Sequence, residues 1–295
     1  MNDKRRINRK LKKIYMSSIN NHCSQRFYSD LFTGYEFSLS KDKYCESDFF
    51  KITPNDKSIL KLFKEFNNHS FSYKFGEIID RVLYSMAVHG KSYIFIKPEY
   101  IEKNDGEGNV NKVVNSLQMD EVKGMFQKEI FYYMPFDDVI HEINISEGTF
   151  ITFDLKEMGY NRNYFKKIAK KIGENDLTSI SWELIKNEPT YDFNVHLEKN
   201  TNTTLKLVKG LGWSLSMEGL SDSYILYKQI EMKLFKIKML NYVLEKINKA
   251  LVDKYIDNKD LKIEASIDNL NYEDAREKFQ TGEITKSELS KIVWG

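Results

Sequence analysis

The amino-acid sequence predicts an α+β protein with a small, mostly antiparallel sheet and one long helix near its C-terminal end. Three observations favour this class. An apolar face with helical spacing over 72–89 stops at Gly90 and is followed by a buried β-run. Residues 91–153 then alternate short apolar runs with polar turns, and residues 224–255 carry an uninterrupted helical repeat.

The composition is that of a folded chain without a strong overall charge. The 295 residues are 41% hydrophobic and 14% aromatic, which is too apolar for a disordered chain and enough for one or two domains. Lysine and arginine number 45 against 43 acidic residues, so any contact with nucleic acid must come from local patches. The two cysteines, Cys23 and Cys45, are too few for a disulfide framework and are compatible with free thiols.

The first 13 residues form a basic arm with seven basic side chains and one acid. Such an arm is either a solvated terminus or a segment that touches a polyanion or a partner subunit. No apolar stretch of the kind a secretory signal requires follows it, and no run of about 18 apolar residues predicts a membrane span. We therefore expect a soluble protein that is made inside the cell.

The unit around Gly90 is the best-defined local structure in the sequence. The helix over 72–89 has one broad apolar face, and Gly90 stands where a helix end needs a left-handed residue. The run 92–97 predicts a buried strand that ends at Pro98. Further strands are predicted over 113–119, 128–134, 136–145 and 149–153.

Residues 162–172 predict a basic amphipathic helix that ends at Gly173. Phe165, Ile168 and Ala169 lie on its apolar face. The opposite face carries Lys166, Lys167, Lys170 and Lys171. This is either an ordinary surface helix or a face turned towards nucleic acid or another polyanion. A hairpin with a polar tip is predicted over 191–207.

The long helix over 224–255 carries an apolar stripe of near-heptad spacing. The stripe consists of Ile230, Leu234, Ile237, Leu240, Leu244, Ile247 and Leu251. Its length of about 31 residues corresponds to roughly 46 Å, and a helix this long is normally a structural strut or an assembly element. The tail predicts a strand, a helix and a last helix opened by a capping box, over 262–266, 271–280 and 285–294.

No motif for catalysis or for a cofactor is present. The sequence lacks a GxxxxGK[ST] phosphate loop, a complete dinucleotide fingerprint and the paired histidines of a zincin. The histidines and cysteines show no metal-ligand spacing, so we expect no enzyme activity, no cofactor and no metal. A metal-dependent nuclease is the enzymatic alternative, suggested by Asp105 followed by Glu121 and Lys123, but Glu231 and Lys233 repeat the same spacing inside the long helix.

The order of these elements resembles the portal proteins, or head–tail connectors, of tailed bacteriophages. The likeness lies in VLYSMAVHGKSYIFIKPEY at 82–100, in YYMPFDDVIHEI at 132–143 and in the loop and long helix over 209–255. The ending EKFQTGEITKSELSKIVWG at 277–295 is loosely similar as well. The resemblance implies a compact, portal-like α+β member of the family with a mixed wing domain.

The resemblance divides the chain into four segments. A wing-like α+β region with the basic arm would span 1–158, and a stem- and clip-like helix and hairpin would span 159–208. A flexible loop and the long helix would span 209–257, and a small helical region would span 258–295.

The resemblance also implies a homo-oligomeric ring, usually of twelve subunits, at one capsid vertex of the virion. Double-stranded DNA would pass through it during packaging and ejection, without base readout. The partners would be the major capsid protein, terminase and adaptor or tail proteins, with assembly in the host bacterial cytoplasm and no membrane. The seven stripe residues of the long helix would form the subunit interface. The channel candidates are Lys166, Lys167, Lys170, Lys171, Lys206 and Lys209.

Three alternatives to the ring stay open. They are a different phage or mobile-element assembly protein, a nucleic-acid-binding protein of a mobile element that acts without a ring, and the nuclease.

Overall fold

The structure is a computed structural model that describes part of the chain. The described residues are 27–28, 49–54, 62–63, 71–104, 110–124, 131–133, 141–143, 145–174, 202, 206, 211, 221–257, 259–266 and 272–294. They belong to two compact units. The first unit holds the described residues of 39–162 and 241–266, and the second holds those of 19–38, 163–240 and 267–295.

The first unit contains the predicted helix, glycine and strand in that order. Helix α1 (Phe71–His89) buries its apolar face, including Phe75, Ile79 and Val82. Gly90 has a φ of 76°, and its N–H donates to the Met86 carbonyl at 2.7 Å. This left-handed geometry ends a helix at little cost only when the residue is glycine.

Five strands of the first unit form an antiparallel sheet in the order β5–β4–β3–β2–β6. They are β2 (Lys91–Asn104), β3 (Val110–Gly124), β4 (Phe131–Tyr133), β5 (His141–Ile143) and β6 (Thr149–Asp154). The register of β2 with β3 runs to the pair Asn104↔Val110, whereas the register of β2 with β6 ends at Ile96↔Thr149. The β2–β3 hairpin therefore continues past the end of β6.

Helix α3 (Asp222–Lys254) is 33 residues long, and its residues 241–254 belong to the first unit. The Tyr242 hydroxyl accepts a hydrogen bond from the Asp154 N–H at 3.1 Å. Just beyond the helix, the Tyr255 hydroxyl donates to the Ile96 carbonyl at 2.8 Å. Two tyrosines thus fasten this end of α3 to strands β6 and β2.

A two-stranded antiparallel sheet of β1 (Phe50–Thr53) and β7 (Lys262–Ala265) also belongs to the first unit. The Asn248 side chain of α3 binds the backbone of Ile263 twice, donating to its carbonyl at 2.9 Å and accepting from its N–H at 2.8 Å. The amide side chain therefore acts towards β7 as a neighbouring strand would.

The second unit is helical in its described residues. It contains α2 (Tyr164–Glu174), residues 222–240 of α3, α4 (Tyr272–Thr281) and α5 (Lys286–Trp294). One core cluster joins α3 to α4 and α5 through Leu226, Ile230, Ala275, Leu289 and Val293. The predicted capping box is confirmed, because the Thr285 N–H donates to Glu288 Oε2 at 2.7 Å and the Glu288 N–H donates to Thr285 Oγ1 at 3.3 Å.

The mixed α+β class is confirmed, and the two units do not follow the four predicted segments. The predicted boundary at 158/159 lies near the observed one at 162/163, but the segment 209–257 is divided by a boundary within α3 at 240/241. The basic arm and the hairpin over 191–207 lie outside the described residues, apart from Asn202 and Lys206. The wing, stem and clip assignments stay predictions.

Candidate nucleic-acid and subunit interfaces

Helix α2 separates an apolar face from a basic face, as its sequence pattern predicts. Phe165, Ile168 and Ala169 are buried, and the Phe165 ring meets the Phe235 ring of α3 edge to face at a centroid distance of 5.7 Å. The aromatic contact anchors the helix within the second unit. The burial of this face dictates which residues of α2 remain on the surface.

Three of the predicted lysines, Lys166, Lys167 and Lys170, are exposed on α2. Lys171 belongs to the same helix, and its side chain lies outside the description. Residues three and four positions apart are neighbours on a helix surface, so the lysines form one cationic strip. Such a strip can bind the phosphates of a nucleic acid without reading its bases.

The other two channel candidates are not shown to join this strip. Lys206 is exposed as a single described residue, and Lys209 lies outside the described residues. The structure therefore supports a cationic surface on α2 alone, and the assignment of all six lysines to a DNA channel stays a prediction.

The predicted subunit interface on α3 requires a correction. Five of the seven stripe residues are buried inside the single chain, with 0% to 6% of their surface exposed: Ile230, Leu240, Leu244, Ile247 and Leu251. Leu234 packs against the core cluster of α4 and α5, and Ile237 is half-buried. Side chains that their own chain covers have no surface left for a second copy.

The physical reason lies in the contacts that α3 makes inside the single chain. In the second unit the stripe meets the apolar faces of α4 and α5. In the first unit α3 is fastened to β2, β6 and β7 through Tyr255, Tyr242 and Asn248. The near-heptad spacing therefore reflects intramolecular packing over much of its length.

A cluster of charged side chains, which the sequence patterns do not indicate, lies where β6 ends. Asp154 is 6% exposed, and its carboxylate accepts hydrogen bonds from Arg162 Nε at 2.9 Å to each oxygen. Arg162 Nη2 also donates to Asp154 Oδ2, the Lys156 N–H donates to Oδ1 at 3.1 Å, and Lys91 Nζ lies 3.6 Å away. Burial alone would raise the pKa of the Asp154 carboxyl, but these donors and the charges of Arg162 and Lys91 hold it below its ordinary value.

A second ion pair continues this cluster onto α3. Lys246 Nζ lies 2.5 Å from Glu157 Oε2, and this hydrogen bond lowers the pKa of the Glu157 carboxyl. The Tyr242 hydroxyl donates to the same carboxylate at 3.1 Å, and burial raises the pKa of Tyr242 to about 12. Each charge in the cluster therefore lies beside a charge of opposite sign.

The nuclease alternative gains no support from the described residues. Glu121 and Lys123 both lie on β3, two positions apart, and Asp105 lies outside the described residues. Within the described ranges, no three His, Cys, Asp or Glu side chains are close enough together to hold a metal ion.

No protein-family model, curated protein or solved structure matches this chain. In the part of the chain that the structure describes, no helix has both the length and the apolar character needed to cross a membrane.

Proposed function

We propose that this chain is the repeated subunit of a portal-like ring, a structural protein at a capsid vertex through which double-stranded DNA is packaged and ejected. The observation that carries the proposal is the exposed lysine strip of α2, opposite a buried apolar face. The order of helix, glycine, strand, small antiparallel sheet and long helix supports it, since this order resembles that of tailed-phage portals. The virion is then the location, and the major capsid protein, terminase and adaptor or tail proteins are the partners.

Lysine suits a surface along which DNA slides. Its ammonium group is a point charge on a flexible stem and does not grip phosphate with the fixed fork of arginine. Contacts to phosphates carry no sequence information, so a strip of this kind holds any duplex equally well. The formal net charge of +2 is compatible with this role, because a ring repeats a local strip around its axis.

The subunits of such a ring would meet mainly through surfaces other than the α3 stripe, since five of its seven residues are buried in their own chain. A mass measurement of the purified full chain tests the ring directly. Twelve copies of 34.9 kDa make a particle of about 420 kDa, and negative-stain images should show annuli. A homogeneous species of about 35 kDa at micromolar concentration would refute the ring.

The DNA contact is tested with matched lysine variants. We expect the variant with glutamine at the four α2 lysines (Lys166, Lys167, Lys170 and Lys171) to bind duplex DNA more weakly and to keep its assembly state. The plot of log affinity against log salt should become shallower by up to about 0.9 for each phosphate that the variant no longer neutralises. The control carries glutamine at four other exposed lysines, Lys249, Lys254, Lys259 and Lys291. An equal decrease in affinity in both variants would mean that α2 has no special part in binding.

A second candidate function is that of a nucleic-acid-binding protein that acts without a ring. The burial of the α3 stripe inside one chain favours it, because a monomer then leaves no large apolar helix face uncovered there. The same two experiments separate the candidates. A 35-kDa species that binds DNA through the α2 lysines supports the second candidate and refutes the first.

A further inference from the structure

We propose that Asp154 and Arg162 form a clasp that closes segment 155–161 against Gly90 and holds the point where the chain leaves the first unit. Arg162 is the last residue of that unit, and Asn163 belongs to the second. Helix α2, with its lysine strip, begins at Tyr164. The clasp lies entirely within the first unit, and the inference does not depend on the proposed ring.

Both ends of the segment converge on Gly90. The Leu155 N–H donates to the Gly90 carbonyl at 3.1 Å, which fixes the first end. At the other end, a Cβ on Gly90 would collide with the Arg162 carbonyl oxygen and would lie 2.6 Å from the Arg162 Cβ. Glycine is therefore required here for two reasons, its φ of 76° and the close approach of Arg162.

Few side chains of segment 155–161 are buried, so the Asp154–Arg162 ion pair is its main attachment. Leu155 is 0% exposed, but the remaining residues up to Arg162 are half-buried or exposed. Glu157 adds its contacts to Tyr242 and Lys246 of α3. A segment with so few buried side chains opens locally unless its ends are held, and the fork-like pairing of arginine with a nearly buried carboxylate holds them.

Opening of the clasp would free segment 155–161 from Gly90 without unfolding the sheet. Such local opening is measured by amide hydrogen exchange, followed by mass spectrometry on the full chain. Asp154→Asn removes the charge but preserves the shape of the side chain. Gly90→Ala preserves the charges and forces Arg162 away. We expect both variants to raise exchange in peptides covering 155–163 by about tenfold or more, with exchange over 92–96 and 149–153 unchanged.

Two further variants keep the test decisive. Arg162→Lys keeps the charge but loses the fork, so exchange over 155–163 should rise less than in Asp154→Asn. Glu231→Gln removes the partner of Arg276 in the second unit, where the ion pair spans 3.1 Å, and should leave 155–163 unchanged. The clasp is refuted if segment 155–163 exchanges at the wild-type rate in Asp154→Asn. It is also refuted if strands β2 and β6 lose protection by the same factor, because Asp154 would then support the sheet as a whole.

Discussion

Truncation of Ile247 tests whether this residue of α3 packs in the core of its own chain or at an interface between subunits. The side chain is 0% exposed within the single chain. Ile247→Ala removes three carbon groups worth about 0.8 kcal/mol each in transfer free energy, or about 2.4 kcal/mol, and the cavity that remains adds to this loss. We therefore expect the free energy of unfolding of the protein to fall by about 3–4 kcal/mol.

The assay is denaturant unfolding followed by circular dichroism, with the mass of the native species measured in parallel. The transition midpoint should move to lower denaturant while the slope stays the same. Glu245→Ala is the matched control on the same helix, and it should change the free energy by less than about 0.5 kcal/mol because Glu245 is exposed. If Ile247→Ala unfolds like the wild type but lowers the mass of an assembly, Ile247 lies between subunits and not in the core of the single chain.

Two further predictions concern the end of the chain and the charged cluster. Thr285→Ala should lower the free energy of unfolding of the second unit by about 1 kcal/mol, measured by thermal denaturation, because the hydroxyl no longer caps the N–H of Glu288; an unchanged transition would contradict this role. The Asp154 carboxyl has a folded-state pKa below its ordinary value near 3.8, so its stabilisation is complete above that pH and is lost as the pH falls through the folded-state pKa. Stability measured from neutral pH down to pH 2 should therefore fall less steeply in Asp154→Asn than in the wild type, and parallel curves would contradict the prediction.

The helix, glycine and strand at the start of the sheet could be predicted because local rules determine them. The apolar period of α1 predicts 72–89, and the helix observed is Phe71–His89. Gly90 stops the helix with a positive φ, as its position predicts. The capping box at Thr285 is determined in the same local way, by a hydroxyl and a carboxylate three residues apart.

The predicted end of β2 at Pro98 was wrong, and the reason lies in the sheet. The Leu155 N–H donates to the Gly90 carbonyl, so the even-numbered residues of β2 point their backbone groups towards the β6 side. The pairing with β6 ends at Ile96, so the N–H that Pro98 lacks would have had no ladder partner in β6. The strand therefore runs to Asn104, which sequence alone does not reveal because the pairing of Pro98 depends on a strand about 50 residues later.

The misassigned stripe on α3 has a different cause. Periodicity shows that a face of a helix is covered, but it does not show which chain covers it. The residues that cover Ile230 include Ala275, Leu289 and Val293 on two short helices of the tail. The sequence predicts both helices, yet nothing in their short apolar patterns indicates that they pack against α3. The Asp154–Arg162 contact could not be predicted from the sequence either, because two charges eight residues apart across a turn give no periodic pattern.

Because the α3 stripe is largely buried, contacts between copies of this chain would have to use other parts of its surface. Among the residues whose side-chain burial the structure describes, the large apolar side chains that are more than a third exposed are Tyr84, at 43%, and Tyr224, at 38%. An interface formed by this described surface is therefore polar and hydrated, and its strength comes from hydrogen bonds and complementary charges. Binding of DNA phosphates by the cationic strip of α2 also depends on charge, and it weakens as salt is added. If the proposed ring forms through this surface, added salt should therefore weaken both its assembly and its contact with DNA.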